Sequence, residues 1–395
     1  MTRPLPRQRA RVIAFYLPQY HPIPENDSWW GKGFTEWVNV ARARPLFPGH
    51  YQPRVPGDLG FYDLRLAETR VAQAEMARRY GIEGFCYWHY WFGNGKRLLD
   101  RPFREVLQSG EPDFPFCLAW ANQSWTGIWH GSPGRILIKQ VYPGVSDYRE
   151  HFTAVQEAFA DERYLRVEGK PLFVVYDPLG LPDPVEFTDC WRDCARKAGL
   201  GDFHLAGIGD ASWNAQRYGF DACILDTLRL VTQAFQARED FSNKVWRGIR
   251  HFCPLFVRRP SVYPYRQAIT FMATTRCASD ICYSCVLPNW DNTPRTGKQG
   301  LVLHGSTPSL FRRHVRDALQ HISVYEPERR ILFVKSWNEW AEGNHLEPDR
   351  RFGTGYLEAL ADVVRGDTEA GSRTAGEEPQ RDDSLPKRTH LTSNQ

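Results

Sequence analysis

The 395-residue sequence predicts an α/β fold, a single (β/α)8 TIM-type barrel, on three observations. Eight short apolar, β-branched or aromatic runs recur between residues 10 and 365. Helical periods with recognisable starts and stops fall between them, the signature of repeated βα units. After the first run stands Leu17-Pro18-Gln19-Tyr20-His21-Pro22, without the Gly-rich phosphate turn of a doubly wound open sheet, the structural rival.

The predicted strands are Val12–Leu17, Gly84–Trp91, Phe116–Trp120, Leu172–Tyr176, His204–Ile208, Ala222–Leu225, Tyr283–Leu287 and Ile331–Lys335. Leu64, Ala67, Val71 and Ala74 share one helical face. Tyr148, Phe152, Val155 and Phe159 share another, with Ser146 as the expected N-cap. A third helix, Val185 to Ala198, lies between Asp183 as N-cap, Pro184 at its first position and Gly199 as stop. Phe311, Val315, Ala318, Leu319 and Ile322 follow Thr307-Pro308 with the same start chemistry, and a last helix, Tyr356 to Val364, ends at Gly366. Two segments break the rhythm: a long first βα loop at 18–63, and a basic insertion at 226–262 between strands six and seven, with Lys244, Arg247, Arg250, Arg258 and Arg259. The expected organisation is a flexible start at 1–9, one barrel at 10–365, and a disordered tail at 366–395, where periodicity stops.

Composition narrows the function. Fifty Lys and Arg against 46 Asp and Glu leave a charge too even for a nucleic-acid binder. No segment approaches the roughly 20 apolar residues of a transmembrane span. The basic start is followed by a short apolar run and no cleavage signature, so no secretory signal is expected. Nine cysteines, an odd count, point to reduced thiols and a cytoplasmic location. Cys282 and Cys285 have CxxC spacing and Cys190 and Cys194 lie one turn apart, but no second pair completes a zinc set, so all nine read as structural. Gly207-Ile208-Gly209 lacks the rest of a dinucleotide fingerprint, and no Asp-x-Asp occurs to anchor a metal-bound nucleotide sugar. Neither metal nor cofactor is expected.

The outlier is aromatic content, with 14 Trp, 17 Tyr and 23 Phe. A barrel enzyme carries its active site at the C-terminal strand ends. Those ends collect Tyr16, Tyr20, His21, Trp88, His89, Tyr90, Trp120, Asn122, Asp177, Trp290, Asp291, Asn292, Trp337 and Asn338, with Glu36 and Trp37 in the first loop. Indoles beside amides and carboxylates suit a sugar, whose C–H face stacks on the ring while its hydroxyls hydrogen-bond. The plainer reading is that the aromatics plug the barrel top and that the histidines, Glu36 and Asp177 serve structure. The sharpest element is Trp337-Asn338-Glu339-Trp340-Ala341-Glu342-Gly343. A single helical turn would bring Glu339 and Glu342 to one side, and glycosidic chemistry needs two such carboxyls. Burial beside Trp337 and Trp340 would raise a carboxyl pKa, as a general acid requires. The competing reading is a solvated acidic turn.

These residues resemble a known family. Ala14–His21, Trp29–Trp37, Tyr80–Phe85, Trp290–Arg295 and Ser336–Gly343 look like segments of the WbsX-like proteins of bacterial O-antigen and capsule loci, which carry a domain similar to glycoside hydrolase family 99. The resemblance covers about residues 10–365 and implies a (β/α)8 barrel in surface-polysaccharide metabolism. A more distant likeness to family 99 itself rests on Asn338-Glu339-Trp340-x-Glu342-Gly343 and Glu347-Pro348. It implies a retaining endo-α-mannosidase-like mechanism in which Glu339 deprotonates the sugar 2-hydroxyl and Glu342 acts as acid and then base. Ala341 stands where those hydrolases place His.

The leading expectation is a cytoplasmic, cofactor-free enzyme that cleaves or transfers glycosidic bonds of an oligo- or polysaccharide. One alternative is a glycosyltransferase of lipopolysaccharide O-antigen assembly using an activated donor. Its basic insertion would meet a lipid-linked or phosphate-bearing glycan at the inner-membrane face. The other is a non-catalytic glycan-binding barrel.

Overall fold

In the computed structural model, which describes residues 8–127, 132–238 and 259–366, eight parallel strands close into a ring. They are β1 (Arg11–Tyr16), β2 (Gly84–Trp91), β3 (Phe116–Trp120), β4 (Lys170–Val175), β5 (His204–Gly209), β6 (Ala222–Leu225), β7 (Cys282–Val286) and β8 (Ile331–Val334). Each pairs with its successor. Closure comes from β8 beside β1, with Val12 opposite Leu332 and Ile13 opposite Phe333. All eight expected strands are present, with ends shifted by two residues at most. They were legible because parallel barrel strands are covered on both faces and read as unbroken apolar runs; every residue of β3 and of β8 is buried. The interior is filled rather than hollow. Phe15 stacks on Trp88 at 4.8 Å, and Tyr283 Oη lies 2.9 Å from His204 Nε2.

Among the described residues the helices of seven residues or more are α1 (Pro24–Trp30), α2 (Glu36–Arg42), α3 (Ala67–Arg79), α4 (Arg101–Ser109), α5 (Val145–Ala160), α6 (Pro184–Lys197), α7 (Thr227–Arg238), α8 (Tyr265–Thr274), α9 (Pro308–Ile322) and α10 (Gly355–Arg365). The start chemistry of α6 and α9 is as expected: Asp183 Oδ1 accepts from the Val185 and Glu186 amides at 3.0 Å, and Thr307 Oγ1 accepts from Leu310 N at 3.3 Å. Ser146 is not the cap of α5. It lies inside the first turn, because Gly144 at φ 106° turns the chain two residues earlier and becomes the capping position without a side chain. Between β5 and β6 only the 3-10 turn Ala215–Tyr218 stands where a helix would. Trp213 covers that wall so closely that a Cβ on Gly207 or Gly209 would meet its ring at 2.4 or 2.5 Å, which accounts for this glycine pair without any nucleotide.

The segment after β6 contains α7, α8 and the strand Ser261–Pro264. That strand pairs in parallel with Leu301–His304, which pairs antiparallel with Trp290–Asp291. The small sheet holds the chain beyond the C-terminal end of β7. Lys244, Arg247, Arg250 and Arg258, like the tail past Gly366, lie outside the described residues. Among the described residues no helix is long and apolar enough to cross a membrane.

Candidate active site

Beyond β8 the chain makes a tight hairpin. Asn338–Glu339 pairs antiparallel with Asn344–His345 around the 3-10 turn Trp340–Glu342. Side chains three apart eclipse on a 3-10 turn, so Glu339 and Glu342 emerge on one side. Gly343 closes the turn at φ 57°, and a Cβ there would lie 2.8 Å from Arg54 Nε, so both conformation and space call for glycine. The hairpin is braced from beneath. Tyr20 Oη donates to the Asn338 carbonyl at 2.7 Å and accepts from the Trp340 amide at 3.0 Å. Asn338 Oδ1 accepts from Leu17 N at 2.8 Å, and its Nδ2 donates to Leu17 O at 3.0 Å, tying the end of β8 to the end of β1. The buried Glu347 carboxylate accepts from Trp340 Nε1 at 2.6 Å, Gln73 Nε2 at 2.7 Å and Tyr62 Oη at 2.9 Å. Burial outweighs these bonds and lifts the Glu347 pKa to about 7.

One guanidinium organises the acids. Arg295 Nη1 donates to Glu342 Oε1 at 2.5 Å and to Glu339 Oε1 at 3.2 Å, while its Nε donates to Glu36 Oε2 at 3.1 Å. The two Oε1 atoms therefore cannot be farther apart than those first two contacts laid end to end. Arg295 and Glu36 are buried, whereas the Glu339 and Glu342 side chains keep 13% and 16% of their surface open. Three carboxyls around one guanidinium leave surplus negative charge. Burial first, and then the Glu339 carboxylate, raise the Glu342 pKa to about 8, with Arg295 and Lys335 offsetting only part of the rise. Burial and the neighbouring Glu339 charge thus favour the protonated form of Glu342, as a general acid requires.

Both acids open into a cleft of ≈ 490 Å³ at the C-terminal strand ends, within the about 300–1,000 Å³ range of small-molecule sites. Trp88, Tyr90, Trp125 and Trp290 supply aromatic walls, and Gln19, Asp226, Arg229 and Lys335 supply polar ones. Burial alone would lower the Lys335 pKa, but Asp226 together with Tyr176, Cys285 and Glu339 outweighs it and holds the ammonium above its ordinary value.

Of the residues expected at a sugar site, Trp88, Tyr90 and Trp290 join Glu339 and Glu342 in the cleft lining. Glu36 reaches the acids through Arg295, and Trp37 packs against Trp340 while its Nε1 donates to Tyr62 O at 2.7 Å. The others are placed outside that lining. Tyr16 Oη donates to Gln73 Oε1 at 2.7 Å, and Tyr20 and Asn338 brace the hairpin. Trp337 is fully buried, and so is Trp120, whose Nε1 donates to Trp91 O at 2.8 Å. His89 Nε2 lies 2.9 Å from His151 Nε2, and burial lowers its pKa to about 3; burial lowers that of His21 to about 4. Asn122 hydrogen-bonds both backbone groups of Asp177, and Asp177 caps the turn Pro178–Gly180. Asp291 accepts from His50 Nε2 and Gln52 Nε2 at 2.7 Å each, and Asn292 Oδ1 accepts from Leu301 N at 2.7 Å. Within β2, Trp88 and Tyr90 face the cleft while His89 between them does not, because a strand alternates inward and outward side chains, which residue type alone does not reveal. Sequence reasoning does not single out Arg295 or Lys335. Signals existed: Lys335 directly follows β8, and Arg295 ends the Trp290–Arg295 motif.

The arrangement has relatives. A family model described as Glycosyltransferase WbsX matches residues 12–360. The chain belongs to this family. Two curated proteins of Xanthomonas campestris pv. campestris, each described as uncharacterized protein WxcX, are 40% identical to the WbsX-family chain over 359 residues. The match covers 90% of this chain and 50% of theirs, so the chain spans about half the length of these relatives. Among solved structures, a GH99 endo-alpha-mannosidase from Bacteroides thetaiotaomicron aligns with a TM-score of 0.52 at 15% identity, over 90% of this chain and 97% of that one. A glycoside hydrolase-like protein aligns with a TM-score of 0.57 at 13% identity, over 92% and 97%. At these identities the likeness carries the barrel fold.

Proposed function

We propose that this WbsX-family barrel breaks or transfers glycosidic bonds of a bacterial surface polysaccharide, of O-antigen or capsule type, with retention of configuration. The observation that carries the reading is the convergence of Glu339 and Glu342 on one Arg295 nitrogen at an aromatic-lined cleft, where burial and the Glu339 charge raise the Glu342 pKa. Glu342 donates its proton to the glycosidic oxygen as the bond from that oxygen to the anomeric carbon breaks. On the sugar side the Glu339 carboxylate either attacks the anomeric carbon or removes the 2-hydroxyl proton so that this oxygen attacks. Glu342, now ionised, then takes a proton from water or from an acceptor hydroxyl, whose oxygen bonds to the anomeric carbon as that carbon's bond to Glu339, or to the 2-oxygen, breaks; in the second route Glu339 returns its proton to the 2-oxygen. Trp88, Tyr90 and Trp290 stack on the sugar faces. The described cysteines are all free thiols, which fits a reaction in the cytoplasm beside the inner membrane.

The test is turnover of α-mannosides and O-antigen-derived oligosaccharides by the wild type, Glu339→Gln and Glu342→Gln. Each variant is expected to lose about 10²–10⁴-fold in kcat. Full turnover by both variants would falsify the assignment. Glycan binding that survives both substitutions, with no product from the wild type, would leave a binding barrel instead.

A second reading, transfer from an activated donor, is favoured by the cationic Lys335 and Arg229 in the cleft lining and by the family's description. Calorimetry against nucleotide sugars and polyprenyl-phosphate sugars separates the two. Saturable donor binding weakened by Lys335→Met supports the donor reading, and no heat at saturating donor removes it.

A further inference from the structure

We propose that Cys223, Cys277 and Cys282 form a binding site for a thiophilic metal ion of the zinc class on the outer wall of the barrel. Their three sulfurs all lie within 4.8 Å of one another. A tetrahedral zinc with sulfurs at about 2.3 Å sets them about 3.8 Å apart, so closing on an ion asks only for small side-chain rotations.

The fold brings these donors together independently of the cleft. Cys223 on β6 and Cys282 on β7 are register partners in the parallel ladder and so face the same side. That side is outward, because Ser284, two residues beyond Cys282, donates to the Ala318 carbonyl of α9. Cys277 arrives from the loop that returns to β7. Ala278 N donates to Ala211 O at 2.8 Å, Asn214 Nδ2 to Ala278 O at 3.0 Å and Ser279 Oγ to Trp213 O at 2.9 Å, so the loop is pinned before any ion binds. Cys223 is buried while Cys277 and Cys282 are half-buried, which leaves one side accessible to water and to a fourth ligand. On binding, three S–H protons leave to solvent, three metal–thiolate bonds form, and a dication with three thiolates carries one net negative charge.

None of the three cysteines lines the cleft, so the ion is structural. Cys223 precedes the long excursion that carries α7 and α8, and Cys277 and Cys282 follow it. An ion bound here clips the two ends of that excursion to each other and to the barrel wall. Sequence spacing hides the site. The CxxC pair suggests Cys285, but that residue lies an odd number of steps from Cys282 and points to the opposite face.

The experiment titrates the reduced, metal-stripped full chain with Zn²⁺ against a chromophoric chelator, using Cd²⁺ and Co²⁺ as optical probes. The expected result is one equivalent bound, a thiolate-to-Cd²⁺ charge-transfer band, tetrahedral Co²⁺ bands and a higher Tm with Zn²⁺. Cys277→Ser and Cys282→Ser, chosen because both sites are half-buried, should each weaken Zn²⁺ by more than the about 10–100-fold typical of outer-shell changes. Cys194→Ser on α6, folded equally by circular dichroism, should bind as the wild type does. Substoichiometric binding overturns the proposal, as does affinity unchanged in both cysteine variants. So does a disulfide between two of the three residues that, once reduced, yields no Zn²⁺ uptake.

Discussion

At the end of β3, Trp120 is buried and Asn122 spends its side-chain amide on both backbone groups of Asp177, clipping β3 to β4. At the end of β8, Trp337 is buried and Asn338 does the same to Leu17, clipping β8 to β1. The local sequences, Trp-Ala-Asn-Gln and Trp-Asn-Glu-Trp, look alike as sugar-binding ends. They diverge one residue later. After Asn338 the chain folds into a 3-10 hairpin that points two carboxyls at Arg295. After Asn122 the chain runs on past Ser124, whose Oγ accepts from Gln140 N, and the nearby acid, Asp177, caps a turn. An asparagine at a barrel strand end is thus a peptide-like clip, and chemistry depends on what the clip aims.

The largest test of this contrast is Arg295→Met. Three carboxyls then lose their shared cation, and breaking a buried ion pair from one side costs about 3–5 kcal/mol. Urea unfolding should show a loss of that order together with a collapse in turnover. Next come the two clips. Asn338→Ala and Asn122→Ala each strand a peptide N–H and C=O, for about 2–4 kcal/mol by the cost of unsatisfied buried groups. Both should melt earlier, but only Asn338→Ala should also lower kcat by tenfold or more; equal kinetic losses would erase the distinction between the two ends.

The pH dependence sharpens the same point. Glu342 keeps its proton up to about 8 in the folded state, against an ordinary value of 4.5. Between those values the native state binds more protons than the unfolded chain, so its contribution to stability falls as pH rises through that window. Glu347, raised to about 7, acts in the same sense. Turnover should decline on the alkaline side near pH 8 as the general acid ionises. Glu342→Gln should show a flatter stability slope between pH 5 and 8 in denaturant titrations. The smallest effect belongs to Asp177→Ala, which removes a turn cap worth about 0.5–1.5 kcal/mol. It should leave kcat within twofold; a larger kinetic loss would move the β4 end into the working site.

The eight strands and the caps of α6 and α9 were legible because each rests on local physics: continuous burial, and an oxygen placed to accept orphan amides. Helix α4 was passed over although Pro102 near its start and Gly110 at φ 74° after it mark both ends. The acid pair was legible from its spacing and its indoles. The aromatic set was over-read: Trp88, Tyr90 and Trp290 face the cleft, while Trp120 and Trp337 face the core. Alternation about a strand end decides between those outcomes, and a shift of one residue in the predicted end reverses the answer.

By itself the amino-acid sequence determined the ring of βα units and the two carboxyls on one short turn, since both follow from interactions within a few residues. Only the tertiary structure decided what those carboxyls face. Arg295 is 44 and 47 positions from Glu339 and Glu342 and 259 from Glu36. The three outer-wall thiols likewise come from β6, a returning loop and β7. Electrostatic and ligand geometry at that range is set by barrel closure and side-chain packing, which no local pattern encodes.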